Sequence, residues 1–275
     1  MISDIIQHDK YLMESKDEVR RLELKTDFKT LEKQALWAGI GPGMSVADIG
    51  CGSGITTFYL KKLVEASGKV VGVDRSEERI AYAKNSYKDM EIEFIRKDFY
   101  EPLDDLGVFD FVWVRFILEY HRSKSFDLVK NISKVVKPGG ILCLIDLDYN
   151  CLSHFGIPRR LEKTLYDIMN ILENHADFDP YAGRKLYSFI YDLGYENINV
   201  DMSPYHLIFG ELKETDEFNW TKKVEVAAKK SGCRFEEYDG GYEEFCEEFK
   251  KSFADPRRFT YTPVISCRGR KPKSI

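Results

Sequence analysis

The 275-residue sequence predicts an α/β fold, a mostly parallel sheet with helices on both faces. Three observations carry that reading. Short apolar segments alternate with amphipathic ones between Met44 and Asp148. Those short segments are near-continuously apolar, as expected of strands buried on both sides. A glycine cluster, Gly50-Cys51-Gly52-Ser53-Gly54, falls where the first strand hands over to a helix. There, main-chain N–H groups point outward and glycine lets a ligand approach the backbone.

The first 40 residues read as helical. Tyr11, Leu12, Leu22, Leu24, Leu31, Ala35, Leu36 and Trp37 form an apolar stripe among charges, and Gly41-Pro42-Gly43 is expected to stop the helix. SVADIG (45–50) is the first strand, followed by a helix from Ile55 that ends at Gly68. KVVGVD (69–74) is the second. Ser76 then serves as N-cap, Glu77 and Glu78 complement the helix dipole, and the helix runs to about Tyr87. IEFIRKD (92–98) and FDFVWVRF (109–116) are strands three and four, with a helix near Lys124–Val136 and a turn at Lys137-Pro138-Gly139-Gly140. ILCLIDLD (141–148) is strand five. Beyond Tyr149 the alternation lapses into an amphipathic helix over 159–176, a loop, and a short helix ended by Gly194. Strand candidates at 198–209 and 259–269 flank a charged, largely helical stretch and bring the strand count to seven. A single elaborated domain is expected: a helical cap over 1–40, a core over 41–150, and a helical insertion with closing strands over 151–275.

At 32.0 kDa, with 43% hydrophobic and 32% charged residues, the chain is long enough to bury a core without disulfides or metals. Lys plus Arg number 41 against 46 Asp plus Glu, a net charge of −5, which argues against a broad phosphate-binding surface. No apolar run reaches the roughly 18 residues of a membrane helix, and the N-terminus is too polar for a signal peptide. Six scattered cysteines without a CxxC pair read as reduced, cytoplasmic thiols, and no metal site is expected.

The glycine spacing discriminates among cofactors. A dinucleotide fingerprint read from Gly50 would require glycine or alanine at Ile55. Here three glycines alternate behind Asp48, in the order Asp48-Ile49-Gly50-Cys51-Gly52-Ser53-Gly54. With this motif, residues 44–148 resemble the class I S-adenosylmethionine-dependent methyltransferases, of the kind acting on small molecules. The resemblance implies a Rossmann-like seven-stranded sheet, with N-terminal helices and a helical insertion after strand five. It also implies S-adenosylmethionine as cofactor and S-adenosylhomocysteine as product. In the family's pattern Asp48, Gly50, Cys51, Gly52 and Gly54 surround the cofactor. Asp74 with Arg75, at the end of strand two, would take the ribose hydroxyls. Asp98 would stand near the adenine amino group, with Phe99 offering its N–H and a ring edge, and Arg115 would lie beside the methionine portion. Tyr11 and Arg21 sit on helices that in similar enzymes fold over the cofactor. Each has a plainer reading: Asp48 as a turn cap, Asp74 as helix punctuation, Asp98 as a partner of Lys97, Phe99 as core, Arg21 as a surface arginine.

The acceptor side is less legible, because a sulfonium methyl is already activated and a base is needed only for a protonated acceptor. His121, Tyr149 and His154 are the catalytic candidates, imidazole titrating near neutrality; Glu119, Asp146 and Asp148 neighbour them. Strand four lacks an Asn/Asp-Pro-Pro signature and a Pro-Cys nucleophile, so base-nitrogen and cytosine C5 methylation are disfavoured. The expected function is methyl transfer to a small-molecule acceptor by a monomer or homodimer, with no nucleic acid or membrane partner. Methylation of protein or RNA, or S-adenosylmethionine binding without transfer, are the alternatives.

Overall fold

The computed structural model describes residues 27–273. Helix α1 (Phe28–Ala38) is capped by Asp27, whose carboxylate accepts from Lys29 N at 3.1 Å and Thr30 Oγ1 at 2.6 Å. It stops at Gly39, whose N–H turns back to Ala35 O and Leu36 O, two residues earlier than the Gly41-Pro42-Gly43 stop expected from the sequence. The alternation then proceeds through β1 (Ser45–Ile49), α2 (Ile55–Val64), β2 (Lys69–Asp74), α3 (Glu77–Ser86), β3 (Ile92–Arg96), β4 (Phe109–Arg115), α4 (Ser125–Ser133) and β5 (Val136–Leu147). Ser76 caps α3, its Oγ accepting from Arg79 N at 3.3 Å. After β5 come β6 (His154–Phe155), α5 (Arg159–His175), α6 (Leu186–Asp192), β7 (Glu196–Ile208), α7 (Glu214–Ser231), α8 (Gly241–Ala254) and β8 (Phe259–Arg270).

The sheet has eight strands in the order β3-β2-β1-β4-β5-β8-β6, with β7 paired to the other edge of β8. The eighth, β6, joins two residues to Phe259 and Thr260 of β8 and is too short to leave a sequence pattern. β1 to β5 run parallel, and β8 is antiparallel to both β5 and β7. Lys137–Gly140 lies inside β5 and is no turn before it. The Gly139 N–H pairs with Lys271 O, and the register against β4 shifts between Phe109 and Phe111.

Apolar side chains fill both sides of the sheet. On one, Ala35 and Ala38 of α1 and Leu60 and Val64 of α2 pack on Val46, Phe111, Trp113 and Ile145. On the other, Leu128 and Ile132 of α4 and Leu186 and Ile190 of α6 pack on Ala47, Val112, Val114 and Leu144. A separate cluster joins α5, α7 and α8 through Leu165, Ile168, Trp220, Val224, Phe245 and Phe249. Removing a ring such as Phe245, which is fully buried, would cost about 3–5 kcal/mol. Because α2 leaves β1 toward one face and α4 follows β4 on the other, the chain diverges above adjacent strands. That divergence opens a crevice at their C-terminal ends.

Candidate active site

A cleft of about 910 Å³, counting its open mouth, occupies this crevice. Its floor is the glycine loop. Gly50, Gly52 and Gly54 all have positive φ (+78°, +55° and +83°). The N–H groups of Gly50 and Cys51 both donate to Val73 O, at 2.7 and 3.0 Å, which pins the loop to β2. A Cβ on Gly50 would stand 2.0 Å from Ile117 Cδ1, so only glycine lets the loop lie under the β4 segment. Asp48 is buried, and its Oδ2 accepts from Thr57 Oγ1 at 2.7 Å, anchoring α2 to β1. Burial pushes the Asp48 carboxyl up to about 7, against the pull of the Thr57 hydrogen bond and of Arg115.

Asp74 lines the same cleft, 3% exposed. Its Oδ2 accepts from Gly52 N at 3.0 Å and its Oδ1 from Ser76 N at 2.9 Å, while Arg79 Nη1 stands 3.7 Å from Oδ2. The main chain therefore fixes the carboxylate, and a carboxylate's four lone-pair sites leave it able to accept from two hydroxyls as well. Arg75, Arg79 and the buried Phe99 complete this end. Asp98 is half-buried and is not among the lining residues; its Oδ1 accepts from Tyr100 N at 3.0 Å. Lys97 pairs with Asp105, not with Asp98.

Across the cleft, β4 ends in Arg115 and is followed by Phe116, which adopts φ +59°. The Arg115 guanidinium lies 4.1 Å from the Phe116 ring centroid and 5.8 Å from that of Tyr205 on β7. Its Nε is buried without a hydrogen-bond partner, as is Ser53 Oγ in the glycine loop. Two buried polar atoms without protein partners on opposite walls suit a ligand that brings donors and acceptors of its own.

The third wall consists of side chains. Glu119 lines the cleft, 3% exposed. Asn150 Nδ2 donates to Glu119 Oε2 at 2.7 Å, and Lys223 Nζ on α7 donates to Asn150 Oδ1 at 2.9 Å. A lysine ammonium only donates, so it fixes the Asn150 amide with its NH₂ toward Glu119. Beneath, Asp146 accepts from the N–H groups of Leu118, Glu119 and Leu147. Burial and the neighbouring Glu119 push Asp146 well above the usual carboxylate range.

His121 also lines the cleft, its Nδ1 2.7 Å from Tyr100 Oη. Burial lowers the imidazole to about 4 and raises the phenol to about 12, so both are neutral near pH 7. His154 stands elsewhere. It belongs to β6, with Nδ1 2.8 Å from Thr260 Oγ1, Nε2 3.2 Å from Cys151 O, and its ring edge-on to Trp220. Tyr149 lies outside the cleft too, under the Arg184 guanidinium that Asp148 holds at 2.9 and 3.1 Å. Tyr11 and Arg21 lie outside the described residues.

The structure thus gathers Asp48, Gly50, Cys51, Gly52, Asp74, Arg75, Phe99, Arg115 and His121 around one cleft, whereas Gly54 is not among its lining residues. Sequence reasoning missed Asn150, Lys223, Tyr205, Tyr100 and Arg79; the first three arrive from segments with no motif. Among the described residues, no cluster of His, Cys, Asp and Glu is arranged to hold a metal, and no helix is long and apolar enough to cross a membrane.

Residues 46–140 match the family model described as a methyltransferase domain. A demethylmenaquinone methyltransferase of Lactococcus lactis is 34% identical over 113 residues, 40% of this chain and 44% of that protein. The chain thus spans less than half the length of the curated relatives it matches. Among solved structures, a putative methyltransferase from Bacillus halodurans superposes with a TM-score of 0.57 at 17% identity, over 89% of this chain and 99% of that one. The [4+2]-cyclase SpnF superposes with a TM-score of 0.54, also at 17% identity, over 89% and 81%. At such identities these two likenesses concern the fold.

Proposed function

We propose that this chain, whose residues 46–140 match the methyltransferase-domain model, is a class I S-adenosylmethionine-dependent methyltransferase that transfers a methyl group to a small-molecule acceptor. The observation that carries the reading is the buried Asp74 carboxylate, held by Gly52 N and Ser76 N at the rim of a three-glycine loop. When bound, the cofactor supplies a methyl group already activated by its sulfonium. Asp74 would hold the ribose hydroxyls, and the Gly50–Gly54 main chain would line the path of the methionine portion. Asp48 and Arg115 bring one acidic and one cationic group to that portion, matching an amino acid's ammonium and carboxylate.

Glu119 is the group in position to take, at its carboxylate, the proton that a hydroxyl or amine acceptor loses on methylation. Asn150 and Lys223 hold that carboxylate in place. His121, lowered to about 4, is a weak base at neutral pH and instead fixes Tyr100. The net charge of −5 favours a small acceptor over RNA. The name of the Lactococcus relative makes demethylmenaquinone a first acceptor to try. The free thiols fit a reducing compartment.

Calorimetric titration with S-adenosylmethionine, S-adenosylhomocysteine and NAD tests the cofactor. Micromolar binding of the two sulfur ligands and none of NAD is expected, and no binding of either sulfur ligand would end the proposal. Label transfer from methyl-labelled S-adenosylmethionine into an extract, before and after removal of its low-molecular-weight fraction, separates a small acceptor from a macromolecular one.

A further inference from the structure

The far end of the sheet carries a feature that the cleft does not use. β8 pairs Phe259 with Phe155, Tyr261 with Leu207, Ile265 with Met202 and Cys267 with Val200. Directly paired antiparallel residues share a face of the sheet, and alternate residues along β8 do too. Phe155, Val200, Met202, Leu207, Phe259 and Tyr261 therefore lie on one face, and Phe209 extends it by stacking on Phe259 with centroids 6.4 Å apart. All seven are between 42% and 74% exposed. Asp201 and Arg268, the nearest strand charges, pair with Ser266 and Asn199 and so fall on the opposite face.

At about 150–250 Å² for a whole aromatic side chain, these residues together leave roughly 700 Å² of apolar surface in water. The largest apolar patch on a monomer is about 300–600 Å², whereas a standard interface takes about 800 Å² from each partner. The flank is net acidic: Glu211, Glu214, Asp216, Glu217 and Asp255 outnumber Lys213, Arg257 and Arg258, a balance that anionic lipid headgroups repel. Helix α1 packs on the other side of the sheet, where Phe28 stacks on Tyr59 and Ala35 and Ala38 join the packing on Trp113.

The geometry points to a second copy of this chain as the occupant: two copies pack the β6–β8–β7 faces against each other about a twofold axis. Two such faces are alike and uncharged, as an isologous contact requires, and would bury one another at ordinary sheet-packing distance. The contact would back the cleft, because β7 carries Tyr205 against Phe116, ring centroids 4.9 Å apart.

Sedimentation equilibrium of the full chain tests this. The wild type is expected at twice 32.0 kDa, and Met202→Lys combined with Phe209→Asp at 32.0 kDa, a weakening of at least about 100-fold. Far-UV circular dichroism and S-adenosylmethionine calorimetry should be unchanged in that variant. Phe155→Ser provides a second, milder break, and Leu36→Lys, an exposed position on α1, should leave the dimer intact. A wild type that stays monomeric at about 100 µM overturns the proposal, whether it remains free or floats with phosphatidylcholine vesicles. So does a dimer indifferent to both face variants.

Discussion

The two walls of the cleft are built of different materials. On the β1–β2 side the ligand-facing groups sit on or beside a main-chain loop: Gly50 and Cys51 tied to Val73, Asp74 tied to Gly52 and Ser76, and Asp48 held within β1. On the far side they are side chains from separated segments: Glu119, Asn150 and Lys223, with Tyr205 behind Arg115 and Phe116. A wall of main chain is specified by a few adjacent residues and tolerates almost no substitution. A wall of side chains depends on tertiary packing and can be altered one residue at a time without unfolding its neighbour.

Substitutions at the two walls should therefore fail differently. Gly50→Ala should be the most severe. It places a Cβ 2.0 Å from Ile117 Cδ1 at φ +78°, for a combined cost of about 2–4 kcal/mol in stability and cofactor affinity. A thermal melt and an S-adenosylmethionine titration would register it, and a benign result would mean that the loop is not a fixed cradle. Next comes Glu119→Gln, expected to lower kcat about 100-fold while cofactor affinity holds within about twofold. An equal loss in both would move Glu119 to the cofactor wall. Asp74→Ala should weaken S-adenosylmethionine by about 1–3 kcal/mol in calorimetry, and unchanged affinity would remove Asp74 from the site.

The mildest test concerns pH. The Asp48 carboxyl is raised to about 7, so it carries a proton below that pH and a charge above it. A cationic ligand group beside it favours the charged form. Cofactor affinity should accordingly fall about fivefold between pH 7 and pH 6 and level off above pH 8. Asp48→Asn should flatten the curve, and an equally steep curve in that variant would assign the proton to another group.

The same contrast separates what the sequence disclosed from what it did not. Gly50, Gly52, Gly54 and Asp74 could be found because a tight strand-to-helix turn and the end of the next strand are local events that spacing records. Lys137–Gly140 misled because Gly139 finds its partner in Lys271, across the whole insertion. His154 reads as a loop histidine until β6 pairs with Thr260 and half-buries it, and a two-residue strand has no period to detect. Burial of Glu119 depends on Asn150 and on the turn over Asp146; the lysine that completes the chain comes from a helix whose sequence reads only as charged. Asp98, placed near adenine by resemblance, spends one oxygen on the Tyr100 N–H, a contact that no motif encodes.

Cys51 gives the glycine loop a built-in clock. Its thiol is 5% exposed, and burial, with Asp48 and Asp74 close by, drives its pKa far up, so the reactive thiolate is scarce while the loop is closed. Half-buried Cys233 and Cys246 should react with an alkylating reagent first. The slower labelling of Cys51, followed by mass spectrometry with and without ligand, then times how often the loop lets go of β2.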